Sequence, residues 1–170
     1  KYTLIQNNPD VEKLNDGDTL EDTFTLTTED GTTQDVIITI QGKNDQAEIS
    51  GVTTGDVTED GSSGVNGVLT PIPGIPSFTG QLISQDVDDP SDPSLSFIAS
   101  TGFGDNVNQY GSFVMLANGQ WTYTVDNTNT FVNKLKVDSS PLTDTFTVAS
   151  IDGTTQLITV TIHGQNDAAV

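Results

Sequence analysis

The segment Asp30–Asp45, DGTTQDVIITIQGKND, returns 122 positions later as Asp152–Asp167, DGTTQLITVTIHGQND. Aligned without a gap, Leu20–Ala47 and Leu142–Ala169 share 16 of 28 residues. Duplication on that scale constrains the fold before any other feature, because repeated segments fold alike and pack as an array. With a shift of one residue, Tyr2, Val11 and Leu14 fall on Tyr123, Val132 and Leu135. Residues 1–45 therefore read as the back end, three strands, of one repeat, and 46–170 as one complete repeat.

Period-two alternation and β-branched residues run between clusters of Gly, Asp, Asn and Pro, which predicts an all-β chain without helix. Strands are expected over 2–6, 23–28 and 35–41 in the first copy. In the second they are expected over 48–57, 78–85, 95–100, 112–116, 120–125, 144–149 and 156–163. Seven strands in a repeat of this length predict a Greek-key β-sandwich of the Ig-like or cadherin-like kind, in a tandem repeat array. Alternation turns Trp121, Tyr123, Val125, Phe146, Val148, Ile158, Val160 and Ile162 inward, and leaves Thr122, Thr124, Thr145, Thr147, Thr159 and Thr161 on the wet faces. Residues 64–77 carry Pro71, Pro73 and Pro76 and read as an insertion after the first strand.

Three strands without the rest of a sandwich leave an apolar face and open edges, so residues 1–45 should not be stable alone. Either another copy supplies the missing strands by exchange through residues 1–45, or the fragment rests against 46–170.

The acids gather at strand ends. In an antiparallel sandwich, successive strands end at alternate poles. The ends of strands 78–85 and 144–149 and the start of strand 48–57 share one pole. That groups Asn44, Asp45, Asp86, Asp88, Asp152 and Asp89 at the joint between repeats. At the opposite pole Glu59 and Asp60 approach Asn166 and Asp167, at the joint to a following repeat. Asp126 ends a strand at that pole, but its counterpart in the first copy is Ile5. Clustered hard oxygens suit Ca²⁺, which takes about six to eight of them. Asp30-Gly31 and Asp152-Gly153 taken alone read as hairpin turns. DVDDPSD lacks the sixth-position glycine and twelfth-position glutamate of an EF-hand loop.

The 24 acids, 19 of them Asp, against five Lys and Arg give a net charge of −19, which excludes ordinary nucleic-acid binding and adhesion to anionic lipid. No cysteine is present, so there is neither a disulfide framework nor a thiolate metal site. No apolar run approaches the roughly 18 residues of a spanning helix, so membrane insertion is not expected. Nor is there a signal peptide, as expected of a segment from inside a longer chain. The single histidine, His163, falls on the outward face of its strand and is matched by Gln41 in the first copy. Neither a Ser-His-Asp nor a Cys-His constellation can then be assembled, and an enzyme is not expected.

TEDG near the start of the repeat, YGSFVMLANGQWTYTVDN in its middle and LTDTFTVASIDGTTQLITVTIHGQNDAA at its end resemble the VCBS repeat of very large bacterial surface and secreted proteins, RTX-type adhesins among them. The same stretches are similar to cadherin repeats. Asp86-Val87-Asp88 resembles the cadherin DxD, Ser150–Gly153 its AxDxG region, Gly42–Asp45 its inter-repeat linker and Glu59 its first-strand glutamate. The resemblance implies calcium at the joints, with neighbouring repeats of the same chain as partners. Gly42 and Gly164 stand where cadherins carry aspartate and no DRE motif follows residues 120–125, which favours one or two ions per joint over three. The function expected is that of a calcium-stabilised structural extender in a cell-surface or secreted adhesin, located outside the bacterial cell. The alternative is a carbohydrate-binding module of such an adhesin, with residues 102–109 and Tyr110 as its surface.

Overall fold

The computed structural model describes residues 1–65, 68–88 and 96–168. Among them are twelve strands and no helix. Contacts divide the chain into two compact units, Lys1–Ala47 with Asp86–Ser91, and Glu48–Gln85 with Asp92–Val170.

The second unit is a sandwich. Its larger sheet has five strands in the order β3 (Glu48–Gly51), β7 (Ser77–Gln85), β10 (Gln120–Val125), β9 (Gly111–Met115) and β8 (Ser100–Phe103). Its smaller sheet has β11 (Leu142–Ala149), β12 (Thr155–His163) and β4 (Thr54–Thr58). The core lies between the two. Trp121, Tyr123, Phe146, Ile158, Val160 and Ile162 are each 0% exposed, and Val125 and Val148 are buried with them, so the eight residues that alternation turned inward all face it. Of the six threonines opposite, none is buried. The Phe146 ring stacks on Phe113 at 4.3 Å and meets Trp121 edge-on at 5.6 Å, the two geometries aromatic pairs prefer.

Two expected strands are broken, and the breaks decide the topology. Instead of one strand over 48–57, β3 pairs with β7 and β4 leaves for the other sheet, where it runs parallel to β12. Gly51, at φ +112°, ends β3, and a Cβ there would stand 2.4 Å from the Gln81 carbonyl oxygen. Only glycine takes that backbone without strain. Nor does a strand span 95–100. Residue 95 lies outside the described residues, Phe97 makes an isolated bridge to Ser150, just past the end of β11, and the strand proper, β8, starts at Ser100 and pairs with β9. Each break lets one stretch of chain satisfy backbone groups in both sheets. Residues 64–77 include most of a separate two-stranded ribbon, β5 (Gly61–Val65) with β6 (Val68–Ile72). It holds Pro71 on a two-stranded edge, where the missing N–H costs no ladder bond.

The first unit contains the hairpin β1 (Thr19–Thr27) and β2 (Thr33–Gln41), in the register Leu20↔Ile40 and Phe24↔Val36. Its turn repeats that of β11–β12. The Thr28 N–H bonds the Thr32 carbonyl and the Gly31 N–H that of Thr28, as Ser150 does to Thr154 and Gly153 to Ser150. Gly31 and Gly153 share φ +88°. The expected strand over 2–6 does not form. Its counterpart β10 lies between β7 and β9, and residues 1–47 offer no such neighbours to complete a ladder. One contact of that strand survives. The Tyr2 hydroxyl donates to Asp22 at 3.0 Å, as Tyr123 donates to Asp144 at 2.7 Å.

Candidate functional site

In the second unit Glu59 directly follows β4 and is 0% exposed. Its backbone N–H donates to the His163 carbonyl at 3.1 Å, which holds it beside the end of β12. One carboxylate oxygen, Oε1, accepts the Gln165 N–H at 2.9 Å; Oε2 is buried with no hydrogen-bond partner. Burial raises the Glu59 pKa above its ordinary value, the Gln165 N–H partly opposes that, and the charges of Asp167 and Asp60 add to the rise. Asp60 accepts the Gly74 N–H at 2.7 Å and exchanges hydrogen bonds with Asn127, giving its N–H to Oδ1 and taking Nδ2–H on its own Oδ2. Ser62 binds the Asn166 carbonyl through its N–H and the Asp167 carboxylate through Oγ. The Asn166 side chain accepts the Val137 N–H at 3.3 Å. Glu59, Asp60, Asn166 and Asp167 thus lie together at one end of the sandwich. Asp126, at the end of β10, instead closes its own turn. Its carboxylate accepts the N–H and hydroxyl of Thr128, which lower its pKa.

In the first unit Asp88 is 7% exposed. Its Oδ2 accepts the Asp45 N–H, its N–H donates to Asp86 at 3.0 Å, and its Oδ1 is buried and unpaired. The Asn44 N–H donates to Asp16 at 3.1 Å, and the Asn15 side chain to the Asp88 carbonyl at 3.3 Å. Asn44, Asp45, Asp86 and Asp88 are therefore grouped, together with a turn, Asn15–Asp18, that strand-end parity did not select. The alignment held the signal, since the same turn position in the second repeat, Val137, touches Asn166, the counterpart of Asn44. Asp89 lies outside the described residues. Asp152 belongs to the second unit and serves its own hairpin turn, where its carboxylate accepts Ser150 Oγ–H, the Thr154 N–H at 3.1 Å and Thr154 Oγ1–H at 2.7 Å.

Among the described residues, Glu59 Oε2 and Asp88 Oδ1 are the buried side-chain polar atoms left without a partner. No three Asp, Glu or His side chains among those residues converge to metal-ligating distance. The chemistry on offer is therefore one sealed, half-paired carboxylate per cluster, with further carboxylates, Asn amides and carbonyls nearby. That donor set is all hard oxygen, suited to Ca²⁺.

One aromatic position differs from expectation. Tyr110 is a core residue, 6% exposed, edge-on to Phe131 at 6.3 Å, and its hydroxyl accepts an Asn108 N–H; it offers no platform for a sugar. Burial also reaches Asp144, 1% exposed between the sheets, where it accepts the Tyr123 hydroxyl and the N–H groups of Asn106 and Thr145.

A two-sheet sandwich whose first strand changes sheets, with clusters of acids at strand ends, defines a cadherin-like β-sandwich. The family profile of the bacterial cadherin-like domain matches residues 44–164, and the chain belongs to that family. No curated protein matches the chain.

Proposed function

We propose that this chain is a calcium-stabilised structural extender from a large bacterial surface or secreted adhesin, in which Ca²⁺ stiffens the joints between tandem repeats and holds adhesive domains away from the cell. The observation that carries the reading is the pair of sealed carboxylate oxygens on Glu59 and Asp88. A buried, half-paired carboxylate costs several kcal/mol unless it is protonated or meets a cation. Asp86, Asn44 and Asp45 would complete the shell around Asp88, and Asp60, Asp167 and Asn166 the one around Glu59. Bound calcium would supply charge neutralisation at both. Membership of a bacterial cadherin-like family supports the extender role, and the resemblance to VCBS repeats supports the adhesin setting.

The test is thermal unfolding in EDTA and after calcium is added back, for the native chain, Asp86→Ala with Asp88→Ala, and Glu59→Ala. At calcium near 100 times the dissociation constant each site adds about 2.7 kcal/mol to folding. The native midpoint should rise by several degrees and each variant should lose part of that rise. Equal midpoints with and without calcium would remove the metal from the proposal.

A further inference from the structure

The face of hairpin β1–β2 carries Leu20, Phe24, Leu26, Val36, Ile38 and Ile40 on one side of its register. The counterparts 122 positions on are Leu142, Phe146, Val148, Ile158, Val160 and Ile162. All but Leu142 are buried beneath the five-stranded sheet. On β1–β2, Phe24 is 39% and Leu26 53% exposed. Residues 2–11 cover only the Leu20–Ile40 end and leave a hollow of about 270 Å³ there. That end is built as in the complete repeat. Tyr2 bonds Asp22 as Tyr123 bonds Asp144, and Gly42 packs on Leu14 as Gly164 packs on Leu135. In the complete repeat the matching hairpin is covered by the front half, residues 48–120. There β4 runs parallel along β12 from Thr54↔Thr159 to Thr58↔His163.

We infer that the β1–β2 face is a docking surface for the front half of another repeat of this type, which adds a parallel strand along Ile37–Gln41 and lays its tryptophan-flanking sheet over Phe24 and Leu26. The fit is that of this chain's own front half on β11–β12, with which β1–β2 shares 12 of 22 residues over 20–41 and 142–163. Between two copies of residues 1–170, one that lends its front half to a β1–β2 face uncovers its own β11–β12 face, so such an exchange leaves as many open faces as before. The inference rests on the tandem reading above and not on calcium, and its test is run in both EDTA and calcium so that the two fail separately.

The full chain is extended by placing a second copy of residues 46–122 directly before Tyr2, and amide hydrogen exchange is followed. The amides of Ile37–Gln41 should slow by about 100-fold or more, toward those of Thr159–His163, as a strand does when it passes from an edge into a cooperative core. Phe24→Ala should then destabilise the extended chain well beyond its effect on the original. A control extension, in which residues 20–41 are replaced by the sequence of 142–163, shows that the added half can fold. If the control folds and the Ile37–Gln41 amides of the native hairpin gain no protection, the inference is overturned. It is equally overturned if the unextended chain dimerises and protects β1–β2 by itself, since a second copy would then be the occupant.

Discussion

Glu59 has one oxygen bonded to a backbone N–H and the other shut away from water, with Asp60 and Asp167 adding negative potential. Its folded-state pKa lies above the ordinary 4.5. The free energy it contributes is therefore fully present below that ordinary value, where it is protonated folded or unfolded, and is lost as pH rises through its raised value. Glu59→Gln keeps an acceptor for the Gln165 N–H and removes the charge. In EDTA at pH 7 this variant should be more stable than the native chain by about 1–3 kcal/mol. The advantage should vanish as pH falls below 4.5, and the order should reverse in calcium; urea midpoints across pH check all three. A second carboxylate shows the opposite economy. Asp144 is buried but paired with the Tyr123 hydroxyl, and the phenol pKa is pushed upward first by burial and then by that bond. Tyr123→Phe should cost about 1.5–3 kcal/mol, the value of a buried hydrogen bond to a charge. Tyr2→Phe, which removes the same bond at an exposed position, should cost a few tenths. Parity found Glu59 because an acid after a strand's last residue lies at a pole. It missed Asp144 because an acid in step with Phe146 and Val148 reads as a strand end until its phenol partner is seen.

Among the strands, alternation was enough to place β7, β10, β11 and β12 and the inward faces of the last three, since half-buried strands must keep one apolar side. It could not place the breaks in the stretches around Gly51 and Ile98, where the chain changes sheets. Such a break is set by which neighbour offers free backbone groups, and that is a tertiary fact. The short run over 2–6 failed for the same reason, having the pattern of β10 without its neighbours. Gly51 is the one local residue that signals a break. Gly51→Ala should cost about 2–3 kcal/mol, because the left-handed backbone strains any side chain and the new Cβ meets the Gln81 carbonyl at 2.4 Å. Gly31→Ala, at φ +88° with open space around it, should cost only the backbone share, about 1 kcal/mol. Denaturant titration of the two variants separates strain from clash. Equal costs would mean that the β3–β4 break tolerates a side chain.

Across the molecule, 24 acids face five Lys and Arg, and the one contact of a basic with an acidic side chain among the described residues is the exposed hydrogen bond of His163 with Asp56 at 2.9 Å. Almost none of the negative charge is offset internally, so the folded chain repels itself and salt of any kind should stabilise it. Screening and binding make different demands. Monovalent salt weakens repulsion between exposed carboxylates over a Debye length of about 8–10 Å. It does little for Glu59 Oε2 or Asp88 Oδ1, which lie out of water's reach. A divalent ion also screens, and one held in each cluster would additionally satisfy the sealed oxygen there. At matched ionic strength calcium should therefore raise the unfolding midpoint well beyond sodium chloride. Magnesium should fall between them, because it sheds its waters reluctantly and demands a tighter octahedral shell. In Asp88→Asn combined with Glu59→Gln, the excess of calcium over sodium should collapse while the sodium effect persists, because most of the net charge of −19 remains. Calorimetric melts of both proteins in the three salts give the result directly. Coincident curves for calcium and sodium in the native chain would make the acidity a matter of surface repulsion alone, with the two sealed oxygens left as a cost of the fold.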